Sequence, residues 1–267
     1  MINRSGQNRH NFFAKYTIDV TRLDLEAEML VHAIRILLFP VLVAQGAFVR
    51  WSALRLADPS GRRHGVSGQG PDLRLLIIGD SSAVGVGTSH QEEALLGQMR
   101  KRLLQTNTVY WSVDAETGAT TADTIARLEG REPQKCDIVS VSLGVNDVTA
   151  RVPLSEWLQH FSTLLELVDH KFQADVICVS GIPPIQYFPL LPQPLRWVLG
   201  AQAAQFDQAL RELVANRAKC RFIEMDFEPD ASKMSPDGFH PGPKIYSEWG
   251  RKVYRAIRRD IKHLGRT

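Results

Sequence analysis

The sequence predicts an α/β domain in which a parallel sheet is flanked by helices. Short apolar runs rich in β-formers recur from Leu73 onward, segments with helical periodicity stand between them, and a hydrophobic content of 44% over 267 residues is enough to bury a full core.

The predicted strands are Leu73 to Ile78, Val109 to Val113, Ile138 to Leu143, Val176 to Val179 and Arg221 to Met225. The clearest helix is Leu154 to Val168, where Leu154, Trp157, Leu158, Phe161, Leu164, Leu165 and Val168 keep one apolar face at 3.6 spacing, a face that should pack on the sheet. A last helix runs from Lys244 toward Leu264 and sets Val253, Tyr254, Ile257, Ile261 and Leu264 against a basic, solvated face. Its cations lie toward the C-terminus, where the helix dipole favours them.

Composition divides the chain into an N-terminal helical appendage over 1–56, a linker rich in Gly, Ser, Pro and Arg over 57–71, and the α/β domain over 72–267. The uncharged run Ile36 to Val49 is shorter than the roughly 20 residues of a spanning helix and holds Pro40, Gln45 and Gly46. The charged, polar stretch before it and Arg35 argue against a cleavable signal peptide. Two readings fit: a helix packed on the domain, or a segment lying in a membrane surface with Arg35, Arg50 and Trp51 at the interface. A cytoplasmic or peripherally membrane-associated protein is the expectation.

A formal charge of +3 from interspersed residues gives no electrostatic case for nucleic acid and leaves a small molecule or a lipid as the expected partner. Cys136, Cys178 and Cys220 cannot all pair and read as buried thiols, and no C-x-x-C spacing suggests a metal.

Chemistry gathers where strands end. Gly79-Asp80-Ser81-Ser82 closes the first strand and leads into a Gly-rich turn, at the sheet edge where open α/β sheets bind ligands, and it lacks the G-x-S-x-G spacing of the nucleophile elbow. Asp237-Gly238-Phe239-His240-Pro241 precedes the last helix and can supply both a base for a serine and a carboxylate to orient that base. After the second and third strands come Gly118, with its backbone N–H, and Gly144-Val145-Asn146-Asp147, in which the Asn146 amide can donate to an oxyanion. Taken singly, each of these reads as ordinary turn chemistry.

Taken in order, the set resembles the four sequence blocks of the SGNH (GDSL-type) hydrolase superfamily, and the resemblance spans essentially the whole domain after the linker. It implies a three-layer α/β/α sandwich on a five-stranded parallel, flavodoxin-like sheet. It further implies Ser81 as nucleophile, His240 as general base, Asp237 as its orienter, and the Ser81 N–H, Gly118 N–H and Asn146 side chain as oxyanion hole. The expected activity is hydrolysis of acyl esters through an acyl-enzyme, in the manner of an esterase, lipase or lysophospholipase, with no metal or organic cofactor. Acyl transfer to another hydroxyl on the same site, and a non-catalytic membrane-associated lipid-binding protein, are the competing readings. The apolar segment Tyr187 to Leu199 either lines an acyl pocket or packs inward.

Overall fold

The computed structural model describes residues 37–227 and 230–264, with side chains as far as Ile261. Residues 1–36 of the expected appendage, including Arg35 and Ile36, and the Leu264 side chain lie outside the described residues. Two compact units divide the chain between Trp51 and Ser52. Residues 37–52 form helix α1, all of it but Ser52 in the first unit.

The second unit is an α/β sandwich. Its strands are β1 (His64–Gly68), β2 (Asp72–Gly79), β3 (Thr108–Ala115), β4 (Ile138–Ser142), β5 (Val176–Ser180) and β6 (Cys220–Ile223). Its helices are α2 (Ser81–Val84), α3 (Leu95–Leu103), α4 (Thr121–Glu129), α5 (Val145–Ala150), α6 (Leu154–Phe172), α7 (Leu195–Ala215) and α8 (Pro243–Leu264). The sheet order is β1-β3-β2-β4-β5-β6, with every pairing parallel except β1 on β3. The five parallel strands therefore follow the flavodoxin-like order, and the connections reverse direction between β2 and β4. Ligands bind at such a switch point, beyond the carboxyl ends of the strands.

All five predicted strands are present. The sixth, β1, lies inside the stretch 57–71 that was expected to be a linker, so that stretch belongs in part to the sheet. Its sequence HGVSG has neither apolar alternation nor β-branched density, and its pairing comes from backbone groups meeting the open edge of β3. Gly65 is required there by close approach, since a Cβ would stand 2.6 Å from the Trp111 ring.

Strand alternation sorts the core into two layers. Leu73, Leu75, Ile77, Val109, Ile138, Val176 and Cys178 face α3 and α8 in one cluster, where α8 contributes Tyr246, Trp249, Val253, Ile257 and Ile261. Leu76, Ile78, Val139, Val141, Ile177 and Val179 are equally buried on the opposite face, where α7 packs on β6 and on α6, and α6 packs on α4. The stripe expected on α6 is the buried one: Trp157, Phe161, Leu164, Leu165 and Val168 are inside, and Trp157 stacks on Phe206 of α7. Outward-facing Arg251, Arg255, Arg258 and Arg259 of α8 are exposed, as its predicted basic face requires.

Candidate active site

β2 is buried along most of its length and ends at Gly79, opposite Ser142 of β4. The next residue, Asp80, donates its N–H to Ser142 O at 3.2 Å and caps α2, its Oδ1 accepting from Ser82 N (2.9 Å) and Ser82 Oγ (2.7 Å). Ser81 is thus the first residue of the helix, where a backbone N–H has no intrahelical acceptor.

His240 arrives from the loop before α8. Its Nε2 lies 2.8 Å from Ser81 Oγ and its Nδ1 2.6 Å from Asp237 Oδ2. The other carboxylate oxygen of Asp237 accepts from Ser235 Oγ (2.5 Å) and from the backbone N–H groups of Phe239 (2.9 Å) and His240 (3.0 Å). Burial pushes the Asp237 carboxyl up, but the hydrogen bonds from His240, Ser235 and the two backbone amides outweigh it and hold the group well below the usual carboxylate range. Asp237 is therefore a fixed anion behind the imidazole. Gly87 brings the serine turn against this loop, because a Cβ there would stand 2.2 Å from Pro241 O, and its φ of +100° is one that L side chains rarely adopt.

Asn146 sits in the first turn of α5, directly after β4. Its Nδ2 donates one proton to Ala119 O at 2.9 Å, and the amide's second proton remains for another acceptor. Asp147 ties the same turn to the start of α4: it accepts from Thr121 N and from Thr121 Oγ1 (3.0 Å), while Thr121 Oγ1 also receives Trp157 Nε1 at 3.1 Å. Gly118 lies in the loop these bonds hold, one residue from the carbonyl that Asn146 grips.

Ser81, Asn146 and His240 open on one pocket, with Asp237 behind His240. Gly118 is not among the residues that line it. The lining is mainly apolar, with Leu143, Pro184, Phe188, Met225, Phe239 and Ile245 around the serine. Tyr187 and Phe188 of the expected apolar segment border the pocket, whereas Leu191, Leu195 and Leu199 are buried. Part of the segment therefore borders the pocket and part packs inward. Chemically, an imidazole anchored by a carboxylate at hydrogen-bonding distance from a hydroxyl can take its proton as the oxygen attacks.

Residues 77–247 match the GDSL-like lipase/acylhydrolase family. The chain belongs to that family. The GDSL fold thus accounts for the α/β/α layers, and membership places the chain among ester hydrolases. Over 244 residues the chain is 27% identical to a GDSL-like esterase of Mycobacterium tuberculosis, covering 82% of this chain and 76% of that protein. The fold is also similar to that of a lipase from a goat rumen metagenome (TM-score 0.57, 19% identity, 69% of this chain and 97% of that one). A family 3 carbohydrate esterase of Clostridium thermocellum superposes with a TM-score of 0.58 at 16% identity, over 73% of this chain and 99% of that one. At these identities the two structures speak to the fold alone.

Two residues around the candidate site, Ser235 and Tyr246, went unread in the sequence. Ser235 was invisible because its contact with Asp237 exists only once the loop closes, through Ser235 N donating to His240 O. Tyr246 is fully buried with its hydroxyl 2.8 Å from Val86 O and 3.1 Å from Ser82 O, and burial pushes its pKa well up. It packs in the core on α8, and its polar end meets carbonyls that only the folded serine turn brings to it. Asp80 is buried and its carboxyl is pushed up by that burial, against the Ser82 hydrogen bonds and the nearby His240. The three cysteines are buried and free, and burial pushes the Cys136 thiol up to about 11. Among the described residues no group of three or more His, Cys, Asp or Glu side chains is placed to hold a metal ion.

Proposed function

We propose that this GDSL hydrolase cleaves carboxylic acyl esters by nucleophilic catalysis at Ser81, and that the acyl chain lies in the apolar pocket. The observation that carries the reading is the hydrogen-bonded line Ser81, His240, Asp237 ending at an apolar pocket. His240 takes the Ser81 proton as Oγ attacks the acyl carbon, and Asp237 holds the ring and stabilises the imidazolium. The Ser81 N–H, the Gly118 N–H and the Asn146 amide receive the oxyanion. The imidazolium then protonates the leaving alcohol, and water activated by the same imidazole releases the acid and restores Ser81.

The apolar lining favours an acyl ester longer than acetate, a class that includes lipid and lysophospholipid esters. Hydrolysis of p-nitrophenyl acetate, butyrate and longer esters tests this. Burying a methylene adds about 0.8 kcal/mol, so kcat/KM should climb by up to about fourfold per methylene until the pocket is full. A profile that peaks at acetate would remove the acyl-pocket assignment, and equal rates for Ser81→Ala would remove the serine mechanism.

A further inference from the structure

The first unit presents a surface that the chemistry of the site does not use. Leu37 is 79% exposed, Val41 45%, Val43 44% and Trp51 84%. At the 3.6-residue period these positions spread over about half of the helix circumference, where a helix bordering water ordinarily carries charged and polar residues. Between residues 37 and 49 there is no charged side chain at all. Arginines then follow at 50, 55, 62 and 63 against the single carboxylate of Asp58, which pairs with Arg63 at 2.6 Å. Arg50, Arg55 and Arg62 are exposed.

From these features we infer that α1 is a membrane-surface helix that binds anionic lipid, its apolar arc seated among acyl chains and Arg50, near its C-terminal end, among headgroups. The breadth of the arc favours lipid over a protein groove, since a helix held by a partner helix offers a narrow stripe and keeps its flanks polar. Trp51 stands at the boundary between the apolar run and the arginines, the depth an indole ring takes at a lipid interface. Cations just beyond an apolar helix match the negative potential of anionic headgroups. Among the described residues no helix is long and apolar enough to cross a membrane.

The inference is independent of the esterase reading, because vesicle binding needs no turnover. Its test is co-sedimentation of the full chain with vesicles of phosphatidylcholine alone and of phosphatidylcholine mixed with phosphatidylglycerol. Binding is expected to the mixed vesicles, to weaken with added salt, and to fall at least about tenfold in a Val41→Asp/Val43→Asp variant. Arg50→Gln should cost roughly fivefold on the anionic vesicles and little on the neutral ones. An unchanged far-ultraviolet spectrum and thermal transition keep the variants comparable with the wild type. The inference is overturned if the wild type sediments with neither vesicle, or if the Val41→Asp/Val43→Asp variant binds as the wild type does. It is equally overturned if those aspartates abolish self-association in lipid-free solution while vesicle binding persists, because α1 would then be a protein interface.

Discussion

Ser235 shows how much of the candidate site depends on a contact that no motif announces. Its hydroxyl is one of four donors that keep Asp237 ionised inside the protein. Removing one hydrogen bond to a buried charge costs about 1 to 3 kcal/mol, so Ser235→Ala should lower stability to denaturant by that amount near neutral pH. The sign of the pH dependence follows from the depressed carboxyl. Its stabilisation is fully present above the unfolded pKa of about 3.9 and is lost as pH falls through the folded value. The gap between wild type and Ser235→Ala should therefore narrow below about pH 4. A gap that widens toward acid would mean that Ser235 acts elsewhere, and Ser235→Thr, which keeps the hydroxyl, should recover most of the loss. For Asn146, replacement by Ala should lower kcat by roughly 10²- to 10³-fold if its amide receives the oxyanion, and a change within a few-fold would remove it from that role. Ser81, Asn146, Asp237 and His240 could be read in the sequence because each belongs to a short local block. Ser235 and Tyr246 could not, since their partners are fixed by how loops and α8 settle on the serine turn.

At the scale of elements, what was legible was whatever buries an apolar face. The five parallel strands and the stripe on α6 announce themselves because water is excluded from them. β1 does not, since an edge strand can form from backbone pairing alone. The same distinction separates two glycines. Gly87→Ala should disturb both stability and kcat, because a Cβ at φ +100° meets Pro241 O at 2.2 Å and drives the serine turn from the histidine loop. Gly130→Ala, with its nearest neighbour at 3.7 Å, should be neutral or stabilising by about 0.4 to 1 kcal/mol. Thermal melts and initial rates for the pair check this, and equal losses in both would argue against the close packing of the two loops as the cause.

For the whole molecule, the sheet places the proposed chemistry at the point where the connections reverse, with Ser81 after β2 and Asn146 after β4. The core cluster between the sheet, α3 and α8 and every proposed catalytic group lie after Trp51, within the second unit. A chain of residues 52–267 should therefore keep its kcat/KM on water-soluble esters within about twofold of the full chain, as measured side by side, while losing vesicle binding. A large loss of activity would show that the first unit supports the site. The extent of the pocket was not legible, because Met225, Phe239 and Ile245 come from separate loops and from α8 and meet only in the folded chain.

The central claim is that Ser81 is the nucleophile. The measurement that tests it most directly is labelling of the wild type and Ser81→Ala with a fluorophosphonate, followed by mass mapping of the adduct. The account predicts one adduct per chain on Ser81, lost in the variant together with ester turnover. An adduct on another residue, or turnover that survives in Ser81→Ala, would contradict it.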